Sequence, residues 1–237
     1  MLRALALLLS LLPALARAET LRVAVASNFL PAAQEIAAIM TDEGWDVRLS
    51  GGATGALYAQ IRHGAPFDLF LAADQARPAA LEAEGRGTAQ PYAVGRLVLW
   101  SADPALIGED PVAALRGARV IAIANPDLAP YGRAGAEVLD ALGLAQDAPL
   151  VMGQNIGQTA GLVATGNAPL GFLAAALTPV GGSRWDVPGD LHAPIRQDMI
   201  VLSPGPGAER FIAVLQSDEG RALLEDHGYD APEAVTP

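Results

Sequence analysis

The 237-residue chain contains no cysteine, which excludes a disulfide framework, a thiolate metal site and a thiol nucleophile. It contains no lysine either, and all fifteen basic residues are arginine, so a P-loop lysine and Schiff-base chemistry are also excluded. Histidine is scarce: His63, His192 and His227 lie far apart with no His-x-x-x-His or related spacing, which argues against a histidine metal site. The net charge of -11 is spread along the chain and disfavours nucleic acid and anionic membrane surfaces as partners. Trp45, Trp100 and Trp185 read as core or lobe-edge residues rather than a stacking platform. No internal repeat or low-complexity tract is present, and only 232–237 reads as a disordered tail.

Residues 1–18 have the pattern of an export leader: Arg3 at the start, an apolar stretch over 4–15, and the small-x-small site Ala16-Arg17-Ala18. The apolar stretch is short for a membrane span and has no stop-transfer flank. Cleavage before Glu19 would remove Arg3 and Arg17, taking the formal charge from -11 to -13. The expected mature protein is therefore exported, acidic and soluble, and long enough to build a core without disulfides.

From there the chain alternates apolar strand-like runs with amphipathic helical stretches, the pattern of parallel α/β sheets with helices on both faces. Strands are predicted over 21–26, 46–50, 67–73 and 94–100, with helices over 31–43, 54–63 and 76–84. A second α/β set follows, with strands over 120–124, 150–152 and 170–174 and helices over 131–142 and up to about 165. An extended run over 195–202 and closing helices over 208–216 and 218–227 complete it. Ser101-Ala102-Asp103-Pro104 reads as the exit from one lobe, and Gly181-Gly182-Ser183 as a flexible loop. The expectation is a hinged pair of lobes, 19–99 with 200–237 and 100–199, holding a ligand in the cleft between them.

The loops that open helices in this scheme carry the chemistry. Ser27-Asn28 and Gly51-Gly52-Ala53-Thr54-Gly55 offer hydroxyl, amide and main-chain N–H groups without a charged side chain. The first turn of a helix leaves N–H groups unpaired and carries roughly half a positive charge, so an anion there gains both hydrogen bonds and a favourable dipole. Glycines let a ligand approach the backbone closely. The competing interpretation is that Ser27 and Thr54 are ordinary helix N-caps.

The succession Ala26-Ser27-Asn28, Gly52-Ala53-Thr54-Gly55, Ala65-Pro66-Phe67-Asp68-Leu69-Phe70-Leu71-Ala72-Ala73-Asp74, Asn125-Pro126-Asp127 to Pro130-Tyr131-Gly132 and Ala168-Pro169-Leu170-Gly171 resembles the periplasmic molybdate-binding proteins of ABC importers. These belong to the type II periplasmic binding protein superfamily, and the resemblance runs over nearly the whole mature chain. It implies a two-lobe fold, each lobe a mostly parallel sheet flanked by helices, with no catalytic residue and no cofactor. The implied ligand is molybdate or tungstate, and the implied partner is a membrane permease. It also implies a periplasmic location, and a monomer is expected. By the same resemblance the side chains of Ser27 and Thr54 donate to oxyanion oxygens. Asn28 adds side-chain or backbone donation, and the N–H groups of Tyr131 and Ile156 complete the shell. Some family members carry a tyrosine ligand just after the Pro-Leu-Gly strand, whereas here Leu173 is followed by Ala174. That donor is absent, or replaced by Asn28 or a water. The resemblance leaves Asp68 and Asp74 as loop-orienting or helix-capping residues.

Molybdate, tungstate and sulfate are fully ionised near neutral pH and require only donors, whereas hydrogen phosphate carries a proton that needs an acceptor. The loops hold no carboxylate nearer than Asp127, which disfavours phosphate; sulfate remains an alternative. A different class, a secreted hydrolase using Ser27, lacks a Gly-x-Ser-x-Gly motif and a recognisable base. A ligand-sensing domain of a transcription regulator shares the two-lobe fold, but no helix-turn-helix segment is present.

Overall fold

A computed structural model describes residues 20–232, and the leader expected over 1–18 lies outside them. The first βα units are β1 (Thr20–Ala26), α1 (Leu30–Asp42), β2 (Asp46–Gly52), α2 (Thr54–Arg62), β3 (Leu69–Leu71) and α3 (Ala76–Ala83), followed by β4 (Ala89–Gly95). The next set is β5 (Leu97–Ser101), α4 (Pro111–Gly117), β6 (Ile121–Ala124), α5 (Pro130–Ala141), β7 (Leu150–Gly153), α6 (Ile156–Ala164), β8 (Leu170–Ala174) and β9 (Ser183–Asp186). The chain closes with β10 (Ile195–Val201), α7 (Pro206–Gln216), α8 (Asp218–Asp226) and β11 (Tyr229–Asp230).

These strands form two sheets. One is six-stranded with order β11-β4-β10-β3-β1-β2, the other five-stranded with order β7-β6-β8-β5-β9. In the first, β1 pairs in parallel with β2 and β3. In the second, β6 pairs in parallel with β7 and β8. The remaining pairings, through β10, β11 and β5, are antiparallel. Each sheet is therefore mixed, with its parallel strands on the βα units and its antiparallel strands where the chain crosses between sheets and returns. The short strands β9 and β11 and the helix α4 are additions to the predicted elements, and β4 begins ahead of the predicted 94–100 run. Ser183, expected in a flexible loop, is instead a buried first residue of β9 whose Oγ donates to the Asp103 carbonyl.

Sheet membership moves the lobe crossing. The apolar run over 94–100 was expected to be one strand, with the exit at Ser101-Pro104, but it breaks at Arg96: β4 ends at Gly95 in the first sheet and β5 begins at Leu97 in the second. The run is apolar on both sides of the break because both strands are buried, so hydropathy does not register the change of sheet. On the return, β10 rejoins the first sheet from Ile195, ahead of the crossing expected near Ile200.

Alternation along the strands fills a core on both faces of each sheet. Leu21, Val23 and Val25 of β1 and Leu69 and Leu71 of β3 pack with Phe211 and Val214 of α7 and Ile36 of α1. Ala24 and Phe70 turn to the opposite face with Leu57 and Ile61 of α2 and Leu81 of α3. In the second sheet, Leu99, Ile121 and Phe172 face α5, while Val98, Ala122 and Leu173 face Val163 of α6. The α5-side cluster also contains Ala26, Ala73 and Ile195 from strands or strand ends of the first sheet. The two sheets thus share apolar packing where β1, β3 and β10 approach the second lobe.

Phe211 is fully buried and anchors α7 against β1 and α1. Replacing it with alanine removes a ring and leaves a cavity, so Phe211→Ala is expected to lower stability by about 3–5 kcal/mol in urea titration.

Candidate functional site

The helix-opening loops converge because they all follow parallel strands. Ser27-Asn28 follow β1 and Thr54 follows β2, adjacent strands of one sheet. Tyr131 and Ile156 begin the helices after β6 and β7, adjacent strands of the other. Ligand sites in α/β sheets lie at such carboxyl ends.

Neither hydroxyl serves as a helix cap. The residue at the cap of α1 is Phe29 and that of α2 is Ala53, and neither helix has a side-chain cap bond. Thr54 Oγ1 instead accepts the Ala73 N–H from the end of β3 at 3.2 Å. Ser27 Oγ accepts the Gly157 N–H across the cleft at 3.4 Å. Each hydroxyl takes a main-chain proton and keeps its own hydrogen free to donate.

Main-chain donors surround them. The N–H groups of Asn28, Thr54, Tyr131 and Ile156 have no acceptor among the described residues, as expected where a helix begins. Asn28, Thr54, Tyr131 and Ile156 are all buried. On the α6 side, the Asn155 side chain accepts the Gln158 N–H at 2.9 Å and fixes the helix start without occupying the Ile156 donor.

The side chain of Asn28 departs from expectation. Its Nδ2 donates to Gln197 Oε1 at 2.8 Å and to the Tyr229 hydroxyl at 3.1 Å, while that hydroxyl donates to the Asn28 carbonyl at 2.8 Å. The amide is committed to a buried network, and only the main-chain N–H of Asn28 remains for a ligand. The network continues from Gln197 Nε2 to the Tyr131 hydroxyl at 3.3 Å, and the Tyr92 hydroxyl lies 3.0 Å from Gln197 Oε1 and 2.9 Å from the Ala72 carbonyl. Burial pushes the Tyr92, Tyr131 and Tyr229 phenols well above their ordinary range, so each stays a neutral hydrogen-bonding group. Phe29 packs edge-on against Tyr92 and Tyr229, with ring centroids 4.8 and 5.3 Å away.

Tyr131 therefore has two roles by position. Its N–H belongs to the donor cluster, and its hydroxyl reaches β4 and β10 of the opposite sheet. A Cβ at Gly95 would lie 1.9 Å from that hydroxyl, so glycine is required for the ring tip to enter. Ala174, which follows Leu173, supplies no hydroxyl and is fully buried in the core beside Leu97.

The two carboxylates expected to be structural are engaged within the protein. Asp74 accepts the Arg77 N–H at 3.1 Å and forms an ion pair with its guanidinium, which fits the expected capping role. Asp68 accepts the Arg22 N–H at 2.8 Å and so orients a loop. Arg133 is exposed on α5. His63 and His192 contact nearby carbonyls, and His227 contacts Glu35 at 2.8 Å; among the described residues no grouping able to hold a metal ion occurs.

Two α/β lobes whose helix starts face one cleft define the class: a two-lobe binding-protein fold. The chain belongs to the bacterial extracellular solute-binding protein family, whose model matches residues 21–230. It is 43% identical over 234 residues to the molybdate-binding protein ModA of Azotobacter vinelandii, covering 92% of this chain and 93% of that protein. It is 40% identical over 237 residues to ModA of Rhodobacter capsulatus, covering 95% and 94% respectively. The solved periplasmic molybdate-binding protein of Azotobacter vinelandii superposes with a TM-score of 0.84 at 36% identity, covering 90% of this chain and all of that one. These relatives are solute-binding proteins and not enzymes, which overturns the hydrolase alternative built on Ser27.

Two predictions arise from the groups behind the donors. Burial holds the Asp198 carboxyl above its ordinary value; the Gln75 hydrogen bond opposes this, and Asp74 and Glu82 add repulsion. A carboxyl whose folded pKa is raised contributes stability below its unfolded pKa and loses it as pH rises through the folded value. Asp198→Asn is therefore expected to raise the melting temperature at neutral pH, with the gain vanishing below the carboxylate range in scanning calorimetry. Gly95→Ala, which drives a methyl group into the Tyr131 hydroxyl, is expected to lower stability by about 1–3 kcal/mol in urea titration through overpacking.

Proposed function

We propose that this chain is a periplasmic binding protein that captures molybdate, and also tungstate, between its lobes and delivers it as a monomer to an ABC transporter permease. The observation that carries this reading is the donor-only character of the cleft. The Ser27 and Thr54 hydroxyls and the N–H groups of Asn28, Thr54, Tyr131 and Ile156 converge from both lobes, and the one carboxylate in these loops, Asp127, is exposed. Such a shell suits a fully ionised tetrahedral oxyanion and leaves the proton of hydrogen phosphate without an acceptor. The relatives named above support molybdate as the ion.

The proposed mechanism is capture by closure. The lobes are joined at Arg96 and through 187–194, and both links are braced. Arg96 Nε donates to Asp230 at 3.0 Å, and the Ala193 N–H donates to Glu137 of α5 at 2.8 Å. Hinge motion about these links would bring the helix starts of the second lobe onto an anion first held by Ser27 and Thr54, as in other periplasmic binding proteins. An export leader over 1–18 would place the protein in the periplasm.

Calorimetric titration of the ligand-stripped mature protein with molybdate, tungstate, sulfate and phosphate tests the reading. Tight one-to-one binding of the first two with weak binding of the others is expected; absence of molybdate binding overturns it. Ser27→Ala and Thr54→Ala each remove a hydrogen bond to a charged ligand and are expected to weaken molybdate binding by about 1–3 kcal/mol. That corresponds to roughly 5- to 150-fold in Kd.

A further inference from the structure

At the cleft mouth the first lobe grips two consecutive carbonyls of the second. The Gly55 N–H, in the first turn of α2, donates to the Leu128 carbonyl at 2.9 Å. Arg77 Nη2, on α3, donates to the Asp127 carbonyl at 2.9 Å. Both acceptors lie in the loop between β6 and α5, just before the unpaired Tyr131 N–H.

Several features make this contact more than an incidental surface pairing. The Arg77 guanidinium is held from behind by Asp74, and the two side chains keep only 17% and 19% of their exposure, so the fork is oriented before the carbonyl arrives. A Cβ at Gly55 would lie 2.9 Å from Arg77 Nη2 and 3.2 Å from the Leu128 Cα, so the bare α-carbon is what admits both groups. The loop itself is pre-shaped, because Asn125 Oδ1 accepts the Asp127 N–H at 3.0 Å. The Gly55 contact follows β2, the edge strand opposite the β4 and β10 side where the chain crosses between lobes, and the Arg77 contact follows β3, next to β10. Contacts far from a hinge separate most when it opens.

We propose that Arg77 is a positioning residue that latches the closed cleft: its guanidinium, set by Asp74, holds the loop carrying the Tyr131 donor against the first lobe. The proposal rests on the closing-cleft reading above. The latch acts on the release of the anion rather than on its first encounter. Losing one charge-assisted hydrogen bond then speeds dissociation about tenfold and changes association little.

The chain has no cysteine, so a label pair can be introduced without background. Ala59→Cys on α2 and Ala164→Cys on α6, both exposed, report the lobe separation by pulsed electron spin resonance. On this background Arg77→Gln, Arg77→Lys and Gly55→Ala are compared with the parent, with and without molybdate, alongside stopped-flow molybdate exchange. Expected for Arg77→Gln is a longer ligand-free distance, or dissociation about tenfold faster with association unchanged. Arg77→Lys, which can still donate to one carbonyl, should recover part of the effect. Gly55→Ala, which displaces the guanidinium and Leu128 without altering Arg77, should shift the same readouts in the same direction. Parental distances and parental dissociation in both Arg77→Gln and Gly55→Ala overturn the latch. Failure of the parent to bind molybdate overturns the ligand assignment instead, and the ligand-free distances still decide the latch.

Discussion

The groups that converge on the cleft are hydroxyls and main-chain N–H dipoles, and a folded backbone presents unpaired N–H dipoles chiefly where helices begin. That constraint explains the architecture. Parallel strand pairs set helix starts side by side at one sheet edge, so β1 with β2 and β6 with β7 each deliver two such starts to the same place. The handover residues are small or hydroxylated where the first lobe meets the cleft. In the proposed shell the second lobe contributes only main chain.

The same constraint explains the investment behind the cleft. A loop that must keep its N–H groups unpaired cannot be steadied by those groups, and its side chains and carbonyls take over. Asn28 is the clearest instance: its side-chain amide and its carbonyl are both tied to Tyr229, while its N–H is left alone. Buried polar networks of this kind stabilise only when complete. Among the described residues no buried side-chain nitrogen or oxygen lacks a partner.

The βα units were legible because each is a local string, a short apolar run handing over to an amphipathic stretch, and the site residues sit at those handovers. Ser27, Thr54, Tyr131 and Ile156 were proposed that way, with the family pattern as a guide, and the structure brings their loops to one cleft. What was not legible was long-range or short. The Asn28 amide pairs with residues 169 and 201 positions away, and nothing around Asn28 in sequence announces Gln197 or Tyr229. The break at Arg96 is invisible to hydropathy because burial continues across it. Strands β9 and β11 are brief edge segments whose pairing, not their composition, makes them strands. Asp74 and Arg77 could be read as a helix-start pair, but their reach to Asp127 depends on how the lobes meet.

A shell made mostly of peptide groups has a consequence for how such a site changes over time. In the proposed shell Tyr131 and Ile156 would meet an anion through atoms that every residue except proline possesses, so side-chain identity there would be invisible to the ion and answerable to packing and, at Tyr131, to the Gln197 hydrogen bond. What an ion would feel is how near the two sets of dipoles come, and that is limited by the apolar cluster in which Ala26 and Ala73 of one lobe meet Tyr131 and Ile156 of the other, with Ile195 at the strand that returns to the first sheet. The arrangement works like a calliper whose jaws are backbone and whose stop is a few methyl groups. Drift in the jaws leaves the gauge unaltered, whereas one added methylene at the stop resets the radius it reads.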